Sequence, residues 1–103
     1  MTKPWQRLDE LEGRVHGNLG VFQLADAAGE VLYIGYAGGK SLFGLKGEIA
    51  QRGAEVDGAT QVRWEITTAY LSRFRELMMV HIADHEAPPP CNPPVTLGKL
   101  SPA

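Results

Sequence analysis

The sequence predicts an α+β fold, a small three-stranded antiparallel sheet flanked by helices in the order β-β-α-β-α. Three observations predict it. Gly20 to Ala25 and Val31 to Tyr36 are short runs rich in β-branched, aromatic and other apolar residues on either side of a turn segment. Thr60 to Thr67 alternates Val62, Trp64 and Ile66 with polar residues, the pattern of a half-buried strand. Two further stretches carry apolar residues at helical spacing. The 103 residues suit a single domain, 1–103, with a core over about 18–92, an N-terminal extension 1–17 and a Pro-rich tail 88–103. Folding at this size buries about 65% of the unfolded chain's surface, enough for one modest core.

Trp5, Leu8 and Leu11 recur every third residue, which predicts a short amphipathic turn or helix ending before Gly13. The next two runs are joined by Asp26-Ala27-Ala28-Gly29, which has turn residues at both ends, so they form a hairpin. A loop of those residues sets Ala25 opposite Glu30 and, counting back, Phe22 opposite Tyr33, with Cβ atoms ~5 Å apart on one face. Ala37-Gly38-Gly39-Lys40 reads as a flexible turn. Leu42, Leu45 and Ile49 then predict a helix over Ser41 to Arg52, capped by Gly53. Gly44 and Gly47 each weaken that helix by roughly 1 kcal/mol relative to Ala, so packing or a close ligand has to explain them. Ala69 to Asp84 predicts the longest helix, with Leu71, Phe74, Met78 and Ile82 on one stripe. Pro88 to Pro90, Pro93 and Pro94 cannot continue it, and an extended tail to Ala103 is expected.

Apolar residues make up 44% and charged residues 21%, which argues against a disordered, collagen-like or disulfide-framework chain. No uninterrupted apolar run exceeds four residues, so no membrane span is expected. Met1 to Glu12 mixes charges of both signs without an apolar stretch, unlike a secretory signal. Cys91 is the only cysteine, which fits a reducing, cytoplasmic location.

Ten basic residues against twelve acidic ones leave a net charge of −2, mildly against a chain wholly dedicated to polyanions. The cations nevertheless gather in mid-chain. Lys40, Lys46 and Arg52 face only Glu48 between Tyr36 and Arg52, and Arg63, Arg73 and Arg75 follow among Glu65 and Glu76. They form either a phosphate-facing patch or solvated helix faces. His81 and His85 share a helix face, but no third ligand stands at a supporting spacing for zinc. Gly38-Gly39-Lys40-Ser41 resembles the end of a phosphate-binding loop but lacks its leading glycine, Gly35 being one position off.

The hairpin carries two triplets, Gly20-Val21-Phe22 and Tyr33-Ile34-Gly35, separated by ten residues. They resemble the GIY-YIG nuclease family, whose first two strands bear these triplets at about this separation. The rest of that family's layout follows in order. A helix with a basic residue (Lys46), a strand (Val62 to Ile66), a helix with a glutamate (Glu76) and an asparagine near a proline-rich stop (Asn92) extend the resemblance over Gly20 to Asn92.

The resemblance implies an endonuclease that hydrolyses phosphodiesters of DNA, or of RNA, with Mg²⁺ or Mn²⁺. It assigns the metal to Glu76, a hard oxygen ligand of the kind such ions take. Tyr33 meets the scissile phosphate or the attacking water, and Lys46 replaces the clamping arginine, keeping its charge and losing its fork. Lys40, Arg52, Arg73 and Arg75 hold the backbone, Phe22 lines the floor beside Tyr33, and Asn92 is either a polar anchor or a turn residue. Phe22 lacks the hydroxyl of the family's first tyrosine, and the spacing from Glu76 to Asn92 is longer than usual. The alternative is a catalytically degenerate domain that binds nucleic acid or a protein partner. If register and resemblance both hold, Tyr33, Lys46 and Glu76 converge within about 10 Å on one concave surface.

Overall fold

The computed structural model describes residues 1–11 and 13–92. In chain order its strands are β1 (Gln6–Arg7), β2 (Gly20–Ala25), β3 (Val31–Ala37) and β4 (Gln61–Ile66), and its helices α1 (Gly44–Glu55) and α2 (Tyr70–His85). The protein is a small α+β structure with one antiparallel four-stranded sheet in the spatial order β1-β4-β2-β3. Every residue of β2 is buried, because it has a strand on each side and a helix over each face.

The extra strand lies where a turn or short helix was expected. Gln6 and Arg7 pair with Val62 and Gln61, and the Leu8 N–H donates to the Thr60 carbonyl at 3.0 Å. Backbone pairing with an open strand outweighs the helix propensity of so short a segment. A 3-10 turn, Leu8–Glu10, follows, and Leu8, Leu11 and buried Val15 pack into the core.

The hairpin forms with a register different from the expected one. The Asp26 carboxylate accepts the N–H groups of Ala28 (3.0 Å) and Glu30 (2.9 Å) and organises the loop. Ala25 pairs with Val31, and a bulge after Leu24 then sets Leu24 opposite Tyr33 and Phe22 opposite Gly35. The displacement is by two residues, which preserves faces because side chains alternate with a period of two. Phe22 and Tyr33 therefore remain neighbours, diagonal rather than opposite, with ring centroids 6.0 Å apart.

Alternation divides the core between two sides. Phe22, Leu24 and Val62 meet Leu45 and Ile49 of α1, whereas Val21 and Ile34 meet Leu77 and Met78 of α2. The helices thus cover opposite faces of the sheet. Helix α1 begins at Gly44 instead of Ser41 because residues 16–18 supply its cap. The N–H groups of Leu45 and Lys46 donate to the Asn18 and His16 carbonyls at 2.9 and 3.0 Å, satisfying donors that a helix start leaves open. Gly44 itself has φ +59°, and a Cβ there would lie 2.4 Å from the Gly17 backbone. Gly53 lies inside the helix, not at its cap, and the final bond runs from the Val56 N–H to the Arg52 carbonyl.

Helix α2 closes through Glu86, in the left-handed conformation, whose N–H donates to the Ile82 carbonyl at 2.7 Å. Its inward side presents Tyr70, Phe74, Leu77, Met78 and Ile82. Leu71, expected on that stripe, is 45% exposed because Tyr70 takes the inward position. Beyond α2, Pro89 is buried and Asn92 docks on β3, while the expected extended course of residues 93–103 lies outside the described residues. Among the described residues, no helix is long and apolar enough to cross a membrane.

Candidate functional site

Strand β3 is the sheet's edge, so side chains from both of its faces reach one rim. A groove of about 900 Å³ runs along it. Tyr33 enters from the α1 side and Tyr36 from the α2 side, with Glu48 and Arg52 from α1, Arg75 from α2, and Lys40 from the turn after β3. That turn is tied at several points. Gly38 N–H donates to Ser41 Oγ at 3.1 Å, Ser41 N–H to the Gly38 carbonyl at 3.0 Å, and Gly39 N–H to the Tyr70 hydroxyl at 3.3 Å. Tyr70 on α2 thereby holds the loop that carries Lys40.

Asn92 also lines the groove. Its Oδ1 accepts the Ile34 N–H and its Nδ2 donates to the Ile34 carbonyl, both at 2.9 Å, and Cys91 N–H donates to the Leu32 carbonyl at 2.9 Å. One buried amide thus stands in for a neighbouring strand on an otherwise open edge.

Arg52 donates to Glu55 at 2.9 Å and lies 3.9 Å from Glu48, but its buried Nε has no hydrogen-bond partner among the described residues. Burial pushes the Tyr33 phenol above its usual value, although the Arg52 guanidinium pulls the other way. At neutral pH the phenol keeps its proton and is a hydrogen-bond donor rather than a base. Lys40 and Arg75 are exposed and form no ion pair among the described residues. The groove therefore offers cations and a phenolic donor to an anion, with Glu48 as the one carboxylate among its described lining residues.

Of the residues singled out in the sequence, Tyr33, Lys40, Arg52, Arg75 and Asn92 line this groove. Asn92 has both amide atoms engaged by Ile34, so it is an edge clamp and not a ligand contact. Phe22 is fully buried with its ring over Gly35, a core residue rather than a substrate contact. Arg73 forks onto Glu65 of β4 at 2.9 and 3.3 Å. Lys46 lines a separate, mostly apolar cavity with Leu8, Leu11 and Ile49.

The convergence expected of Tyr33, Lys46 and Glu76 does not occur. Tyr33 packs on the α1 side, Lys46 turns toward the N-terminal segment, and Glu76 is carried by the helix on the other face. The exposed Glu76 carboxylate has the Arg73 guanidinium 3.8 Å away, and among the described residues there is no group of three or more His, Cys, Asp or Glu arranged to hold a metal.

A family model described as "Domain of unknown function (DUF7508)" matches residues 1–84. The chain belongs to that family. No curated protein and no solved structure matches it. The span matched to DUF7508 takes in all four strands, α1 and nearly all of α2, and stops short of the Asn92 clamp.

Read alone, the sequence of this DUF7508 chain assigns no site role to Glu48, Tyr36, Tyr70 or the exposed Leu71, and strand alternation turns Tyr36 away from Tyr33. The alternation is as expected. Tyr36 nonetheless shares the groove with Tyr33, since at an edge strand both faces open onto the same rim. The i, i+4 spacing of Glu48 and Arg52 was a legible sign of their pairing.

Proposed function

We propose that the protein is a nucleic-acid-binding module that grips a phosphodiester backbone in the β3-edge groove, a degenerate relative of the GIY-YIG nucleases. The observation that carries this is the meeting of Lys40, Arg52 and Arg75 with the protonated Tyr33 phenol in one groove of an otherwise acidic protein. Phosphate oxygens accept hydrogen bonds from such donors, and counterion release supplies the affinity. The GIY-YIG resemblance in the paired triplets of β2 and β3 supports the same ligand class. Binding is favoured over cleavage because Lys46 lines a separate cavity and Glu76 is carried by the helix on the opposite face of the sheet from Tyr33, and because burial raises the Tyr33 phenol above its usual value.

The test is fluorescence anisotropy with labelled oligonucleotides across a salt series. Affinity is expected to fall as salt rises, with a logarithmic slope of about −2 for three phosphates on a single strand. Arg75→Ala and Lys40→Ala should each reduce that slope by about 0.7. No binding to DNA or RNA at low salt would refute the proposal. Mg²⁺- or Mn²⁺-dependent cleavage that disappears in Glu76→Ala would replace it with the endonuclease.

A further inference from the structure

We infer that the groove takes an unpaired nucleobase on Tyr36, so that its ligand is single-stranded nucleic acid and not a duplex. The inference rests on the phosphate-binding role proposed above and adds a second recognition element to it. Tyr36 stacks on Tyr70 with ring centroids 5.7 Å apart and planes 20° from parallel, and Phe74 meets it edge-on at 5.2 Å. Despite those neighbours Tyr36 remains 40% exposed, and Leu71 beside it is 45% exposed. An apolar and aromatic surface thus stands open within the same groove as Lys40 and Arg75.

Tyr36 is backed by packed aromatic neighbours. Tyr70 packs against Gly38 and accepts the Gly39 N–H, so the shelf and the Lys40 loop are fixed to each other. A ring already held in place loses little freedom when a ligand stacks on it. Base faces in a duplex are covered by their neighbours, whereas an unpaired base offers its face to an aromatic side chain. Cations flanking an aromatic shelf are the arrangement by which proteins track a single strand without reading its sequence.

The experiment compares oligo-dT and oligo-U of about ten nucleotides with a blunt DNA duplex and with inorganic polyphosphate, all by anisotropy at one low salt concentration. The single strands should bind more tightly than the duplex. Tyr36→Ala should weaken single-strand binding by about tenfold, a typical stacking contribution for one base, and leave polyphosphate binding unchanged. Tyr36→Trp, which retains an aromatic face, should preserve the single-strand preference. With ring-labelled tyrosine, the Tyr36 ring protons should move upfield on adding oligo-dT. Equal affinity for duplex and single strand, or a single-strand preference that survives Tyr36→Ala, overturns the stacking inference and leaves the phosphate groove standing. Failure of all four polymers to bind removes both. Stronger binding of oligo-U than oligo-dT identifies RNA as the source of the strand, and the reverse identifies DNA.

Discussion

A Cβ at position 35 would lie 2.6 Å from Cζ of Phe22 and 2.7 Å from Cε2 of Tyr33. Phe22 is fully buried and cannot swing aside, so Gly35→Ala is an overpacking change expected to destabilise the fold by about 1–3 kcal/mol. Urea unfolding should show a lower midpoint with an unchanged slope. Adding Phe22→Leu should recover part of the loss, since residues in contact do not contribute additively. The glycine of the Tyr33-Ile34-Gly35 triplet therefore has a packing reason. The triplets were plain in the sequence, but the function of their members was not: Phe22 went into the core, whereas Tyr33 reached the groove. A protonated Tyr33 phenol also makes a residue-scale prediction. Tyr33→Phe should weaken oligonucleotide binding in anisotropy while thermal stability stays within about 1 kcal/mol of the parent, the usual net value of one hydrogen bond.

Among the elements, both hairpin strands, β4 and both helices were legible from periodicity, because alternation and helical spacing report which side of an element is apolar. Their ends and their sidedness were less so. Helix α1 starts where the backbone of residues 16–18 receives its first N–H groups, a tertiary contact with no sequence signature. Nor does periodicity say which face of the sheet a helix covers, and that choice separates Glu76 from Tyr33, whereas Lys46 shares the Tyr33 face but lines the cavity toward the N-terminal segment. The four-residue loop count missed the bulge at Leu24, yet the faces survived because the displacement was even. Tyr70 links α2 to the Lys40 loop through a single hydroxyl. Tyr70→Phe keeps the stack on Tyr36 and removes the acceptor for Gly39 N–H, so hydrogen exchange at Gly39 should accelerate while overall stability changes by about 1 kcal/mol or less.

For the whole molecule, acid should weaken the fold in part through His81. Burial lowers its pKa below 6.5, as does the neighbouring His85, 4.2 Å away between ring centroids, while Asp84 and Glu30 act in the opposite sense. Between the lowered value and 6.5 the unfolded chain binds more protons than the folded one, so stability rises with pH across that window. His81's contribution is complete above pH 6.5 and is lost as the pH falls through the folded-state value. Comparing urea midpoints of the parent and His81→Gln from pH 7 downward should show the parent losing more stability below about pH 6.5. The groove also gives the molecule a polarity that its net charge conceals, with Lys40 and Arg75 at one edge of a chain carrying −2. That edge is closed by the Asn92 amide, which pairs with Ile34 as a strand would. Since the Ile34 amide is shielded from water by one side chain 58 positions away, its exchange with deuterium is a direct clock for detachment of the segment after α2. In Asn92→Ala that single amide should exchange at the rate of a surface loop, while the amides bonded between β2 and β4 keep time with global unfolding.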